Sequence, residues 1–408
     1  MPSPAATPPH SGARHDGAMM RAMKRILLVL LALVVAVFAF APAAVERHYN
    51  TVPSGPHPPA SARAIALHRR LTIVDLHADS LLWARDLGQR STRGHVDVPR
   101  LIEGNVAVEA FTVVTKSPRG LNNQRNDDKS DLITALAVVE RWPPRTWTSL
   151  RERALFQAHE LQETAERSDG RLTLLRTRDD VTRYLERRRT QPAITAGLLG
   201  LEGAHALEGD LASVDTLYDA GFRMIAPTHF FDTEWAGSAH GVTKGGLTDR
   251  GRELVRRLEQ RHILLDLAHA SPRTIADAVA MAQRPVVVSH TGVKGTCDNI
   301  RNLSDEELRG VARTGGLIGI GFWGPKGTGA VCGDGAADVA RAIRYAVQIA
   351  GVDHVALGSD WDGTVRAAFD AAGLVQLTDA LLEAGFSDED VAKVMGGNAV
   401  RLLSAALP

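Results

Sequence analysis

Two histidines that close short apolar runs, His269 in HILLDLAH and His290 in PVVVSH, are the residues from which chemistry can first be read, with His77 and Asp79 at the end of LTIVDLHADS. Imidazoles and carboxylates are the nitrogen and oxygen donors that hold divalent cations. When such side chains repeatedly end β-like runs, the simplest arrangement is a set of parallel strands delivering them to one face. Glu202 in GLLGLEG, His229 in RMIAPTH, and Asp360 with Asp362 in HVALGSDWD extend the set. A single strand-end histidine is equally well explained by a structural role, but recurrence along successive runs points to a site. Three histidines and two carboxylates suffice for two divalent cations, with one carboxylate bridging and a water or hydroxide between them. Hydrolysis is then the natural reaction class. No GxSxG motif offers a nucleophilic serine instead. The donor types favour zinc and leave manganese or cobalt open.

The elements that must position these residues are eight runs rich in Val, Ile and Leu: 72–77, 105–113, 193–203, 223–229, 262–269, 285–290, 317–322 and 354–360. Their lack of clean alternation suits strands buried on both faces. Helical patterns lie between them, including RGRELVRRLEQR, SPRTIADAVAMA and SDEELRGVARTG. In the last, Ser304 and Glu307 form a capping box and Gly315 stands where the helix should stop; Ser387 with Asp390 begins another. The alternation predicts an α/β fold, a (β/α)8 TIM-type barrel with a binuclear metal site at its C-terminal mouth. The Arg-rich stretch 117–190 reads as helical and peripheral, with Trp142 and Trp147 as packing residues.

The first 64 residues stand apart. A short basic region, 1–25, precedes an apolar stretch, 26–44, of about bilayer length, with Arg21, Lys24 and Arg25 on its leading side. It reads as a transmembrane anchor or a signal peptide, for which Ala41, Pro42 and Ala43 supply small residues, and it places the rest of the chain outside the cytoplasm. Residues 45–64, rich in Pro and Gly, read as a linker, and 65–408 as the catalytic domain. Lys and Arg number 47 against 47 Asp and Glu, so there is no broad positive field for nucleic acid. Cys297 and Cys332 lie in no metal-ligand spacing; in an oxidising compartment they close a disulfide loop, and otherwise they are two thiols.

Over roughly residues 65–405 the chain resembles the membrane (renal) dipeptidases, peptidase family M19, among the amidohydrolase-like metal barrels. The segments that carry the resemblance are DLHADS, GLEGAH, GFRMIAPTHF, PVVVSHTG, IRNLSDEEL, LGSDWDG and GFSDEDVAKVMGGNAVRLL, in the family's order. The resemblance implies two zinc ions per chain. His77 and Asp79 would hold the first, Glu202 would bridge, and His269 with His290 would hold the second. It further implies that His229 steadies the carbonyl oxygen, that Arg301 receives the substrate carboxylate, and that Asp360 binds the amino group and passes a proton to the departing amine. The mammalian members carry a disulfide that the two cysteines resemble, and they are homodimers, although no sequence feature here establishes an interface.

Other polar residues take plainer readings. Asp362 and Gly363 shape a loop, His205 orients Glu202 or packs beside it, His95 and Asp97 are structural, and Asp75 stays unassigned. His240, His262 and His354 have no motif behind them. Gly321, Phe322 and Trp323 replace the Asn-Phe-Tyr of the mammalian members. The Trp323 indole either replaces the tyrosine's bond to substrate or leaves it absent. The expected function is a zinc-dependent dipeptidase for L,L and some L,D dipeptides, exported and either anchored at the inner membrane facing the periplasm or released there. The alternative is a related hydrolase of a β-lactam, cyclic amide or other small amide. A non-enzymatic binding barrel would have lost ligands, and none is lost.

Overall fold

A computed structural model describes residues 1–4, 12–51, 59–324 and 329–408. Residues 5–11 of the basic N-terminal region and 52–58 of the expected linker lie outside the described residues. Nine strands form one parallel sheet: β1 Ile73–Ala78, β2 Val106–Val114, β3 Leu172–Leu174, β4 Thr195–Glu202, β5 Phe222–Ile225, β6 Leu264–Leu265, β7 Val287–Thr291, β8 Leu317–Ile320 and β9 Val355–Leu357. The order is β6-β5-β4-β2-β1-β9-β8-β7, with β3 against the start of β4. The sheet curls until its ends meet. The Asp266 amide bonds to Ile225 O on β5 at 3.0 Å and the next amide, Leu267, to Val287 O on β7 at 2.7 Å. One chain thereby serves both edges, and a parallel bridge joins Asp266 to Val287. This division of hydrogen bonds is why the expected run 262–269 contains only a two-residue strand.

All eight predicted runs contribute a strand, but β3 falls in the stretch read as helical. There, the helices Ile133–Val139, Leu150–Glu166 and Arg178–Thr190 form as expected, but a strand of three residues, too short to show a period, stands between the last two. The capping box at Ser304 and Glu307 is present and starts the helix Asp305–Arg313, and Gly315 adopts φ +77° just past its end. Ser387 likewise caps its helix by accepting from the Asp390 amide.

The pattern of burial explains how an apolar sequence presents polar side chains at one place. Val74 and Leu76 of β1 belong to an inner cluster with Val108, Leu198, Met224, Leu264, Val287, Leu317 and Ala356 of seven other strands, closed by Leu402 and Leu403, while most of the surrounding helices pack on a second cluster that includes Ile73 and Ala78. The register of β1 shifts between Asp75 and Ala78, and this irregularity lets His77 join Leu76 on the inner side. Trp142 is buried against Phe156, whereas Trp147 is 40% exposed and spends its indole N–H on Trp142 O.

Helix α1, Gly12–Tyr49, contains the apolar stretch, and its segment Met19–Tyr49 is long and apolar enough to cross a membrane. Its end does not hang free, for Glu46 and Asn50 are buried against the α/β body. Cys297 and Cys332 form a disulfide that ties the loop after β7 to the loop after β8. Loop-closure entropy over a separation of 35 residues predicts that replacing both cysteines by alanine costs about 3–4 kcal/mol of unfolding free energy. Denaturant titration of the reduced and oxidised chain would measure it; coincident curves would contradict the expectation.

Candidate active site

Each candidate residue except Arg301, which sits in the loop between β7 and the helix Asp305–Arg313, lies at or just beyond the C-terminal end of a strand. His77 is in β1, Glu202 ends β4 and His290 is in β7; His229, His269 and Asp360 follow β5, β6 and β9 within a few residues. Two of these positions need unusual backbone. His269 and Asp360 adopt φ +61°, a left-handed conformation costing about 1–3 kcal/mol for such residues, which persists only where the surroundings impose it. Gly203, directly after Glu202, turns at φ +99° and lets the chain leave the strand at once.

The Glu202 carboxylate is the centre of the site. Its Oε1 lies 3.0 Å from His269 Nε2, 3.4 Å from His290 Nε2 and 3.7 Å from His77 Nε2, and its Oε2 lies 3.4 Å from His229 Nε2. Asp79 Oδ1 and Asp360 Oδ1 approach His77 Nε2 to 3.5 and 3.9 Å. Three overlapping groups result, each compact enough for one cation: His77, Glu202 and His290; Glu202, His229 and His269; His77, Asp79 and Asp360. The donor set fits metal. His269 Nε2 and His290 Nε2 are 3.0 Å apart, and two imidazole lone pairs at that distance repel unless a proton or cation lies between them. His77 Nε2 is buried without a hydrogen-bond partner.

Ser289, which sequence reasoning passed over, decides how two of these rings are turned. Its hydroxyl has one hydrogen, and that goes to Asp266 Oδ2 at 2.6 Å. Asp266 Oδ1 is occupied by the amides of Ser289 and Ala268 at 2.8 and 3.0 Å. The Ser289 oxygen can then only accept from His77 Nδ1 and His290 Nδ1, both at 3.1 Å. Each ring therefore donates from Nδ1 and turns Nε2 toward Glu202, which leaves Nε2 as the nitrogen able to bind metal once it carries no proton. Thr112 on β2 acts similarly, donating to Asp79 Oδ1 at 2.6 Å. Both are small hydroxyl residues inside apolar runs, a placement that carries no signal of its own in the sequence.

Charge and burial compete strongly here. Burial alone would lower His77, yet the carboxylates of Glu202 and Asp79 outweigh it and raise it to about 10. Burial raises Glu202 well above the carboxylate range, reinforced by the Asp79 charge, and drives His229, His269 and His290 well below the usual imidazole value. Asp360 is raised to about 8 by burial, His77 opposing and Asp79 adding.

Arg301 is buried; its guanidinium donates to His290 O at 2.5 Å and lies 5.8 Å from the centre of the Trp323 ring. Trp323 also stands 5.7 Å from the His290 ring, so the aromatic lip touches both. His240, set aside on sequence, is buried 5.2 Å from the His269 ring and donates through Nδ1 to Asn123 O at 2.9 Å. Asp75 accepts from the Ser359 amide at 2.8 Å and its hydroxyl at 2.5 Å, which fixes the loop carrying Asp360.

The sequence pattern of the membrane dipeptidases, peptidase family M19, matches residues 61–407. The chain belongs to the membrane dipeptidase family. Membership carries the enzyme class, a metal-dependent dipeptidase hydrolase. Dipeptidase tcpJ of Claviceps purpurea is 28% identical over 324 residues, 76% of this chain and 69% of its own, and dipeptidase aclJ of Aspergillus oryzae is 26% identical over 354 residues, 82% and 78%. Among solved structures, a metallopeptidase from Rhodobacter sphaeroides bound to a phosphinate mimic of L-Ala-D-Ala aligns with TM-score 0.69 at 24% identity, covering 82% of this chain and 99% of that one. The probable dipeptidase PvdM of Pseudomonas aeruginosa aligns with TM-score 0.70 at 19% identity, covering 85% and 98%. These two show a shared fold.

In this family member the remaining polar residues build the frame. Asp362 accepts from Ser80 Oγ at 2.6 Å, from the His95 amide at 2.6 Å and from Arg85, and so shapes the loop after β9. Asp97 caps the helix Val98–Glu103. His205 packs on Phe231, with no hydrogen bond at either ring nitrogen. His354 donates to Gly316 O.

Two expectations follow. Ser289→Ala removes the acceptor that orients His77 and His290 and should weaken metal affinity about 10- to 100-fold; chelator competition reads this, and unchanged affinity would show that the rings are oriented without it. A cation entering the site must displace the proton that the carboxylates hold on His77. Apparent affinity should therefore fall as pH drops and rise as pH climbs toward about 10. Calorimetry in buffers of different ionisation enthalpy should detect the released proton.

Proposed function

We propose that this chain hydrolyses dipeptides at a two-metal site, with His77, Asp79, Glu202, His269 and His290 as ligands and Glu202 shared between the cations. The observation that carries the reading is the convergence of three Nε2 atoms on one Glu202 oxygen, with a fourth imidazole on the other. A carboxylate so surrounded is suited to bridging. Zinc is the proposed metal on donor type. When bound, such a pair lowers the pKa of a water and polarises the scissile carbonyl.

The chain's own residues do the rest. His229, kept neutral by burial, is suited to donate one hydrogen bond to the carbonyl oxygen as it gains charge. Arg301 offers a planar fork for the terminal carboxylate, and its burial strengthens that attraction. Asp360 faces the substrate ammonium and, held near neutral pH by burial, is suited to take a proton from the attacking water and return it to the leaving amine. Arg301 and Asp360 together select for a short substrate, because a longer peptide cannot offer ammonium and carboxylate at one separation. L,L dipeptides are the proposed substrates, with L,D dipeptides also admitted. The apolar length of α1 and the disulfide support an exported chain whose catalytic body lies outside the cytoplasm.

The test is metal content of the purified chain together with amino-acid release from L,L and L,D dipeptides, with and without chelator. About two zinc ions per chain and chelator-sensitive cleavage are expected; bound metal without turnover of any dipeptide would move the substrate to another small amide. Asp360→Asn should lower kcat by about 10²- to 10⁴-fold with little change in metal content. Arg301→Ala should act mainly on KM, and an effect confined to kcat would overturn its role.

A further inference from the structure

Above the proposed metal ligands lies a cavity of about 630 Å³, with Asp79, Glu202, His229, His269 and Asp360 at its polar end. Its walls are apolar. Leu82, Trp83, Val114, Ile133 and Leu136 supply part of them, and Val45 and Tyr49 of α1 supply another. Val45 also packs against the small core that holds Leu82, Trp83, Val114 and Ile133.

The end of α1 is fixed there by charge. Glu46 is 1% exposed and lies 2.5 Å from Arg85 Nη1 and 2.7 Å from Arg93 Nε. Arg85 reaches on to Asp362 in the loop after β9. One turn further, Asn50 Oδ1 accepts from the Thr364 amide at 2.9 Å, and the Thr51 amide donates to Val365 O at 3.3 Å. A carboxylate is buried at a cost of several kcal/mol unless it is well paired. A paired, buried Glu46 therefore marks a docked segment and not an incidental contact. The segment 45–51 thus holds the loop that carries Asp360 and presents two side chains to the cavity.

We propose that the end of α1 is a wall of the substrate chamber and that this chamber takes a bulky apolar side chain on the N-terminal residue of the dipeptide. The proposal rests on the dipeptidase reading above. The side follows from Asp360, which lines the cavity and is the carboxylate assigned to the substrate ammonium. The N-terminal residue's side chain leaves from the carbon that bears that ammonium. Each buried methylene favours binding by about fourfold, so a Phe or Leu side chain against these walls gains on the order of 10- to 100-fold over Gly.

The experiment uses the full metal-loaded chain in detergent and compares kcat/KM for Phe-Gly, Gly-Phe and Gly-Gly. It also measures the affinity of phosphinate analogues of Phe-Gly and Gly-Gly, and hydrogen exchange over 45–51. The unaltered chain should prefer Phe-Gly to Gly-Gly by about tenfold or more in both rate and affinity. Val45→Asp should lower that ratio about tenfold, and Glu46→Gln should lower it while speeding exchange over 45–51. Arg47→Ala, on the exposed side of the helix, should leave both unchanged. Equal turnover of Phe-Gly and Gly-Gly, or a ratio unmoved by Val45→Asp, overturns the chamber and leaves the dipeptidase reading standing. Absence of turnover for every dipeptide overturns that reading and the selectivity with it.

Discussion

A single hydroxyl hydrogen governs the arrangement of the site. Because Ser289 gives its hydrogen to Asp266, its oxygen can only accept, and two rings from β1 and β7 must turn their Nδ1–H toward it. Their other nitrogens then have one direction available, toward Glu202 at the end of β4. The same Asp266 lies where the chain passes from pairing with β5 to pairing with β7, so the group that sets the rings also sits at the seam of the curled sheet. Sheet closure and ring orientation are one constraint. A shift of one residue in this register would turn Ser289 and Asp266 away from each other and release both imidazoles.

Around that centre, buried charges are paired in a chain of their own. Glu46, Arg85, Asp362 and His95 link α1 to the loop after β9, while Asp75 and Ser359 link β1 to the start of the same loop. Arg85 holds the Asp362 carboxyl well below its ordinary range in spite of burial. Asp362 is thereby kept ionised as a frame member, whereas Asp360, two residues away, is raised by its setting. Two aspartates in one short motif are given opposite tasks by their neighbours.

How much of this could be read in advance depended on whether a residue advertised itself by type. His77, Glu202, His229, His269, His290 and Asp360 are costly to bury, and each stood at the end of an apolar run, so their convergence was legible. Ser289 and Thr112 were not, because a hydroxyl residue within a strand is common and only its partner shows what it does. His240 lacked a motif because it reaches the site from a loop held by Asn123 O. The eight long runs were legible as strands, while β3, three residues in an Arg-rich stretch, left no period to detect. The packed end of α1 was hidden for another reason: its Pro- and Gly-rich sequel reads as tether, and the burial of Glu46 depends on Arg85 and Arg93, distant in the chain.

The position of Glu46 also bears on how the leader and the enzyme relate. The small residues Ala41, Pro42 and Ala43 precede Val45, and Pro42 among them is already buried. A chain cut after Ala43 would lose that buried ring but keep Val45, Glu46 and Tyr49, with a new amino terminus one turn from the cavity. The charge pairs that dock Glu46 on Arg85 and Arg93 would remain. The apolar stretch and the docked turn are thus held by different forces, and losing the first would cost packing without unmaking the second.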